Sequence, residues 1–218
     1  MSRNVIHRRR MPSATHGAAA SPTSRDAAGE IRLAALALGG TALLALVCLV
    51  LLYVVHGPFG TVNDLANAGI GWLALVLAAL VRGADHEGRQ ADGAVLAAAA
   101  GAVGLTWGSY LVITETTGFY LAGLVSTLGL ASLGGWMLLA HRASGAVGLL
   151  GTGPERLGRV VGWLLAGGVL ALPGVLAGVD DIADAQWHSY LAQASAWLGA
   201  YVLLPVWSLR VARHLRRA

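Results

Sequence analysis

The chain has 218 residues, 56% of them hydrophobic and only 12% charged, with a mean hydropathy of +0.65. A soluble domain carries about 25% charged residues, so a water-soluble globule is excluded. The net charge of +4 contains no lysine, which removes lysine Schiff-base and P-loop chemistry, and the single Cys48 removes an internal disulfide framework.

Residues 1–30 read as a disordered basic tail. Met1 to Arg10 is arginine-rich, and Ala18 to Glu30 is rich in Ala, Ser, Thr and Pro, too polar to bury an ordering core. The first apolar run starts near Leu33 and exceeds twenty residues. It reads as a retained span instead of a cleaved signal, and Met11 is a second candidate start.

All fifteen basic residues are arginines. They leave arginine-free stretches of 49, 52 and 50 residues between Arg32 and Arg82, Arg89 and Arg142, and Arg159 and Arg210. Each holds two spans of about 20 residues and a turn. The spans are expected near 33–55, 61–81, 94–114, 118–140, 158–179 and 189–209, giving an all-α bundle of six transmembrane helices in three hairpins, residues 31–218. Arginine flanks mark the cytoplasmic side. Both termini are therefore expected in the cytoplasm, in the inner membrane of a cell whose Arg/Ala/Gly bias reads as bacterial.

Thr61-Val-Asn-Asp64 and Thr152-Gly-Pro-Glu155 have capping-box form and mark the starts of the second and fifth spans. Pro173 and Pro205 fall inside spans five and six and should kink them. Small residues at Ala97, Gly101, Gly104 and Gly108, at Ala131 and Gly135, and at Gly174 and Gly178 offer close helix contacts. Trp107, Tyr110, Phe119, Tyr120, Trp187 and Tyr190 form an outer aromatic belt, and Trp136, Trp163 and Trp207 an inner one.

Chemistry is sparse. Asp180-Asp181-Ile-Ala-Asp184 has the DDxxD form that holds magnesium against a diphosphate, and Asn63-Asp64-Leu-Ala-Asn67 echoes it. The outer side has no cation to neutralise a diphosphate, which weighs against that enzyme. The remaining candidate is an outer polar cluster of Asn63, Asp64, Asn67, Glu115, Asp180, Asp181, Asp184 and His188, able to take a divalent or an organic cation. His56 and His188 would add pH sensitivity. Asp64 reads as a helix N-terminal acid and Glu115 as the cap of a tight turn among threonines. No ionisable residue is expected at mid-depth of a span, which argues against ordinary proton coupling.

The run Gly57-Pro-Phe-Gly-Thr-Val-Asn-Asp64 and the closing Leu204-Pro-Val-Trp-Ser-Leu-Arg210 resemble corresponding segments of bacterial six-span membrane proteins of unknown function. The resemblance implies the six-span fold and no activity. The sequence therefore points to a non-enzymatic membrane component or partner subunit without a cofactor, metal or nucleic-acid ligand. The bilayer surrounds it, anionic headgroups meet its arginines, and a further membrane protein is its expected partner. The alternative is a small-solute or cation permease, which requires a polar-lined cavity reaching mid-membrane beside Asn67, Ser109 or Gln193.

Overall fold

The computed structural model describes residues 22–55, 57–84, 89–141 and 152–217. The N-terminal arginine cluster up to residue 21, His56 and the loop around Arg142 lie outside the described residues. Six helices are long and apolar enough to cross a membrane, and no strand occurs among the described residues. They are α1 (Pro22–Val54), α2 (Phe59–Ala84), α3 (Arg89–Ile113), α4 (Phe119–Ala140), α5 (Thr152–Leu176) and α6 (Trp187–Leu215).

Successive helices pack side by side from α1 to α6, and the second half of α6 returns to α1. The three expected hairpins are thus joined in a closed ring. One end holds the α1–α2, α3–α4 and α5–α6 turns, with Glu115, Asp180, Asp181 and Asp184. The other end holds Arg32, Arg82, Arg156, Arg159, Arg210, Arg213, Arg216 and Arg217. We call these the acidic and arginine ends. At the latter, Arg82 pairs with Asp92 at 2.8 Å, joining the end of α2 to the start of α3.

Helix α1 begins eleven residues before the expected span, so residues 22–30, assigned above to the tail, are helical. Ile31, Ala35, Leu38, Ala42 and Ala45 recur every three or four residues and are at most 1% exposed. Ala28 extends that face against the same core. The helix lengthens because its buried stripe does. Opposite it, Leu33, Leu43, Leu44, Val47 and Val50 remain exposed, as a lipid-facing surface requires.

Small residues set the helix spacing. A Cβ added to Gly104 would lie 2.8 Å from the Gly129 Cα, and one added to Gly71 would lie 2.7 Å from the Ala102 Cα. Gly101 and Gly108 likewise receive Leu133 and Ser126 of α4. Gly178 does not belong to a packing stripe. It has a φ of +65° and no atom near its absent side chain, while Val179 N–H donates to the Gly174 carbonyl at 3.0 Å. It ends α5 in a Schellman turn, where positive φ favours glycine.

Both span prolines interrupt α-geometry. Pro173 cannot donate to the Val169 carbonyl; residues Gly167–Ala171 tighten to a 3₁₀ turn, and the Leu172 N–H donates to Val169 instead. Pro205 leaves the Tyr201 carbonyl without its α-helical donor. The preceding residues Leu198–Leu203 widen to a π-helix, closed by the Leu204 N–H on the Gly199 carbonyl.

Glu115 ends α3 with a φ of +51°, and the Thr116 N–H donates to the Leu111 carbonyl at 3.2 Å. The expected turn cap is therefore a left-handed C-terminal position, which costs an L-residue about 1 kcal/mol. Glu115→Gly should raise stability by about that amount, read as a higher unfolding midpoint in detergent.

Three aromatics assigned above to the interfacial belts are buried instead: Tyr120, Trp136 and Trp207. Trp136 and Trp207 meet edge to face at 6.2 Å, and His141 meets Trp207 at 6.1 Å. Depth along a helix does not determine which side of it a ring faces, and these three face the bundle. Trp107, Tyr110, Phe119, Trp163, Trp187 and Tyr190 are exposed as a belt requires.

His141, just beyond α4, donates from Nδ1 to the Met137 carbonyl at 2.6 Å, while its Nε2 and the Trp207 indole N–H are buried without a partner among the described residues. Burial lowers the imidazole pKa below its ordinary 6.5, against the opposing pull of the Met137 carbonyl and Glu155; Arg159 reinforces the lowering. The unfolded chain therefore takes up the proton first as pH falls. Stability from this group is full above about pH 6.5 and is lost as acidification proceeds toward the depressed native value. The unfolding midpoint should drop over that interval, and His141→Phe should flatten the drop.

Candidate functional site

A cavity of about 350 Å³ opens within the ring toward the acidic end. Helix α2 contributes Asn63, Asp64 and Asn67 from its first turns, and α6 contributes Gln193, Trp197 and Tyr201 at four-residue spacing. Tyr53 of α1, Phe119 and Tyr120 of α4, and Asp180 and Asp181 of the α5–α6 turn complete its upper part. Leu105 of α3 and Leu130 of α4 lie deeper.

The capping-box reading put Asp64 at the membrane surface. The structure corrects it. Gly57, at a φ of +91°, turns the chain, and the Val62 N–H already donates to the Pro58 carbonyl at 3.2 Å. The helix thus starts at Phe59, with Thr61 inside it. Asp64 then lies about 7–8 Å along the helix from its start and is only 8% exposed. Its backbone carbonyl accepts from Ser109 Oγ of α3 at 2.6 Å. Among the described residues, no hydrogen bond or ion pair reaches its carboxylate.

Beside Asp64 a short polar ladder runs inward from Asn63. Asn63 donates to the Ala45 carbonyl of α1 at 2.8 Å, and Asn67 donates to Asn63 Oδ1 at 3.2 Å. Tyr201 donates to Asn67 Oδ1 at 2.9 Å. Tyr201 is the central residue of the 29-residue α6 span, and the Asn67–Tyr201 bond forms the floor of the cavity. Beneath it, Leu133, Trp136, Met137, Leu204 and Trp207 are packed into the core.

Several wall groups have unused bonding capacity. The Tyr120 hydroxyl is buried with the Ser189 hydroxyl beside it, and has no well-formed hydrogen bond among the described residues. The Gln193 amide, half-buried, makes no hydrogen bond among the described residues.

Of the eight polar residues singled out in the sequence, five line the cavity: Asn63, Asp64, Asn67, Asp180 and Asp181. Three do not. Glu115 is held in its turn, Asp184 sits in an exposed 3₁₀ turn, and His188 bonds the Leu170 carbonyl at 3.1 Å and Gln186 at 3.0 Å. Asp181 spends Oδ1 on the Ala183 N–H at 2.9 Å, capping that turn, so the DDxxD string does not converge. Among the described residues no three His, Cys, Asp or Glu side chains are grouped to hold a metal ion.

Tyr53, Phe119, Tyr120, Trp197 and Tyr201 were not singled out as site residues. For Tyr201 the sequence held a signal, a tyrosine at the midpoint of the last span, where its hydroxyl needs a partner. Thr106, Thr127, Ser132 and Ser195 use their hydroxyls on backbone carbonyls of their own helices, as expected of polar groups in lipid.

No family model, curated protein or solved structure matches the chain.

Proposed function

We propose that this integral membrane protein is a small-solute permease, represented here by a conformation open at the acidic end and closed at the arginine end. The observation that carries the reading is the cavity itself. Its volume of about 350 Å³ falls in the range of small-molecule sites, and it reaches down to the Asn67–Tyr201 hydrogen bond at the central residue of α6. A purely structural component or partner subunit gives such a cavity no role, and this favours the permease reading over that one. The 3₁₀ turn of α5 and the π-turn of α6 supply the irregular helix segments that let one part of a bundle move against another.

The same reading places the protein in a bacterial inner membrane with both termini in the cytoplasm, following the arginine distribution. Arg210, Arg213, Arg216 and Arg217 then meet anionic headgroups, at about 1 kcal/mol each.

Thiol accessibility tests the proposal in a Cys48→Ala background. Gln193→Cys, on the cavity wall, should react with an impermeant thiol reagent from the acidic end. Met137→Cys, beneath the floor, should react from the arginine end as the conformation alternates. A Met137→Cys protein that stays unreactive, together with no solute flux in proteoliposomes, would remove the permease reading.

A further inference from the structure

The solute class follows from what the cavity wall contains and what it lacks. Asp64 is 8% exposed, lines the cavity, and has no partner for its carboxylate among the described residues. An ionised carboxylate withdrawn from water is strongly disfavoured unless a cation or several donors face it. The bundle supplies neither, because every described arginine lies at the opposite end. Besides a proton, the counter-charge can come only from a cation that enters the cavity.

Three further observations restrict that charge. Asp180 and Asp181 stand at the mouth and add negative potential along the entry path. Below them the walls are largely carbon and aromatic surface, and Tyr120, Trp197 and Tyr201 line the same cavity as Asp64. Such rings attract a cation through their faces. The amide oxygens of Asn63 and Asn67 each already accept a hydrogen bond, and no three metal-ligating side chains converge among the described residues. A metal ion shedding its water would find too few oxygens here.

Resting on the permease reading above, we infer that the solute is an organic ammonium ion with an apolar body. Its N–H groups face Asp64, and its body fills the space between the aromatic walls of α4 and α6. Gln193 and the Tyr120 hydroxyl, both with unused capacity, are placed to bind a polar substituent on that body.

The test uses the full chain in nanodiscs and titration calorimetry with three probes: 2-phenylethylammonium, its neutral analogue 2-phenylethanol, and magnesium chloride. The ammonium ion should bind, and the alcohol at least about thirtyfold more weakly, the loss expected when one partner of a buried charge pair is removed. Magnesium should neither bind nor displace the ammonium ion. Asp64→Asn should abolish the preference while leaving weak binding of both organic probes. The Asp180→Asn/Asp181→Asn pair should slow association without changing the preference.

Equal binding of alcohol and ammonium by the unaltered protein would overturn the ammonium assignment and leave the cavity a neutral-solute site. The same holds if folded, monodisperse Asp64→Asn keeps the preference. Magnesium displacing the ammonium ion would assign the site to a metal. If none of the probes binds, the ammonium class falls; the thiol-accessibility result then decides the permease reading separately.

Discussion

Replacing Gly129 with alanine should cost about 2–3 kcal/mol, and with leucine should leave no monodisperse protein after detergent extraction. Gly129 of α4 faces the backbone of α3 at close range. A Cβ there would lie 2.7 Å from the Leu105 amide nitrogen and 2.9 Å from the Gly104 carbonyl carbon, with the Gly101 carbonyl oxygen at 3.1 Å. All three are backbone atoms, so no side chain can swing aside and the two helices must part. Lipid offers no hydrophobic drive to recover the lost contact, since helix association in a bilayer rests on close packing. Gly40→Ala is the control. Nothing lies within 4 Å of that position on α1, and its unfolding midpoint should stay within about 1 kcal/mol of the unaltered protein. A Gly129→Ala protein as stable as the Gly40→Ala control would show that the α3–α4 contact does not hold the bundle.

The second large effect has the opposite sign. Asp64→Asn should stabilise the ligand-free protein by about 1–2 kcal/mol, because it replaces an uncompensated buried carboxylate by a neutral group of the same size. Solute should then cease to stabilise it, whereas the unaltered chain gains stability from bound solute by mass action. Thermal unfolding of both proteins with and without 2-phenylethylammonium measures the two differences together. A loss of stability on substitution would mean that Asp64 already has a favourable partner and is not waiting for one. The expected gain is the usual signature of a residue kept for activity at a cost in stability.

What the sequence made legible was largely one-dimensional. Arginine spacing located the hairpins, because bilayer thickness fixes span length and basic residues avoid one side of the membrane. Pro173 and Pro205 announced the irregular turns that the structure resolves as 3₁₀ and π geometry. Rotation about each helix axis was not legible, since it is settled by which neighbours lie where. Trp136 and Trp207 therefore read as belt residues and prove to be core. Asp64 was misplaced for a related reason: Thr61 and Asp64 had capping-box spacing, yet Pro58 starts the helix earlier and carries the acid into the bundle. Half of the cavity comes from α4 and α6, distant in sequence from Asn63 and Asn67. No local pattern could join them.

That distance bears on how the protein is made. Asn67 and Tyr201, which together form the cavity floor, are separated by 134 residues. At about 5–20 residues per second of synthesis, the ribosome needs on the order of 7–27 s after adding Asn67 before it reaches Tyr201. Throughout that interval α2 has Asn63, Asp64 and Asn67 without the helix that will cover them, and Asn67 without its tyrosine. The nascent chain must be sheltered by the insertion machinery, or leave those groups facing lipid, until the last span arrives. Truncations ending before α6 should therefore be recognised and degraded during biogenesis, while the full-length chain matures.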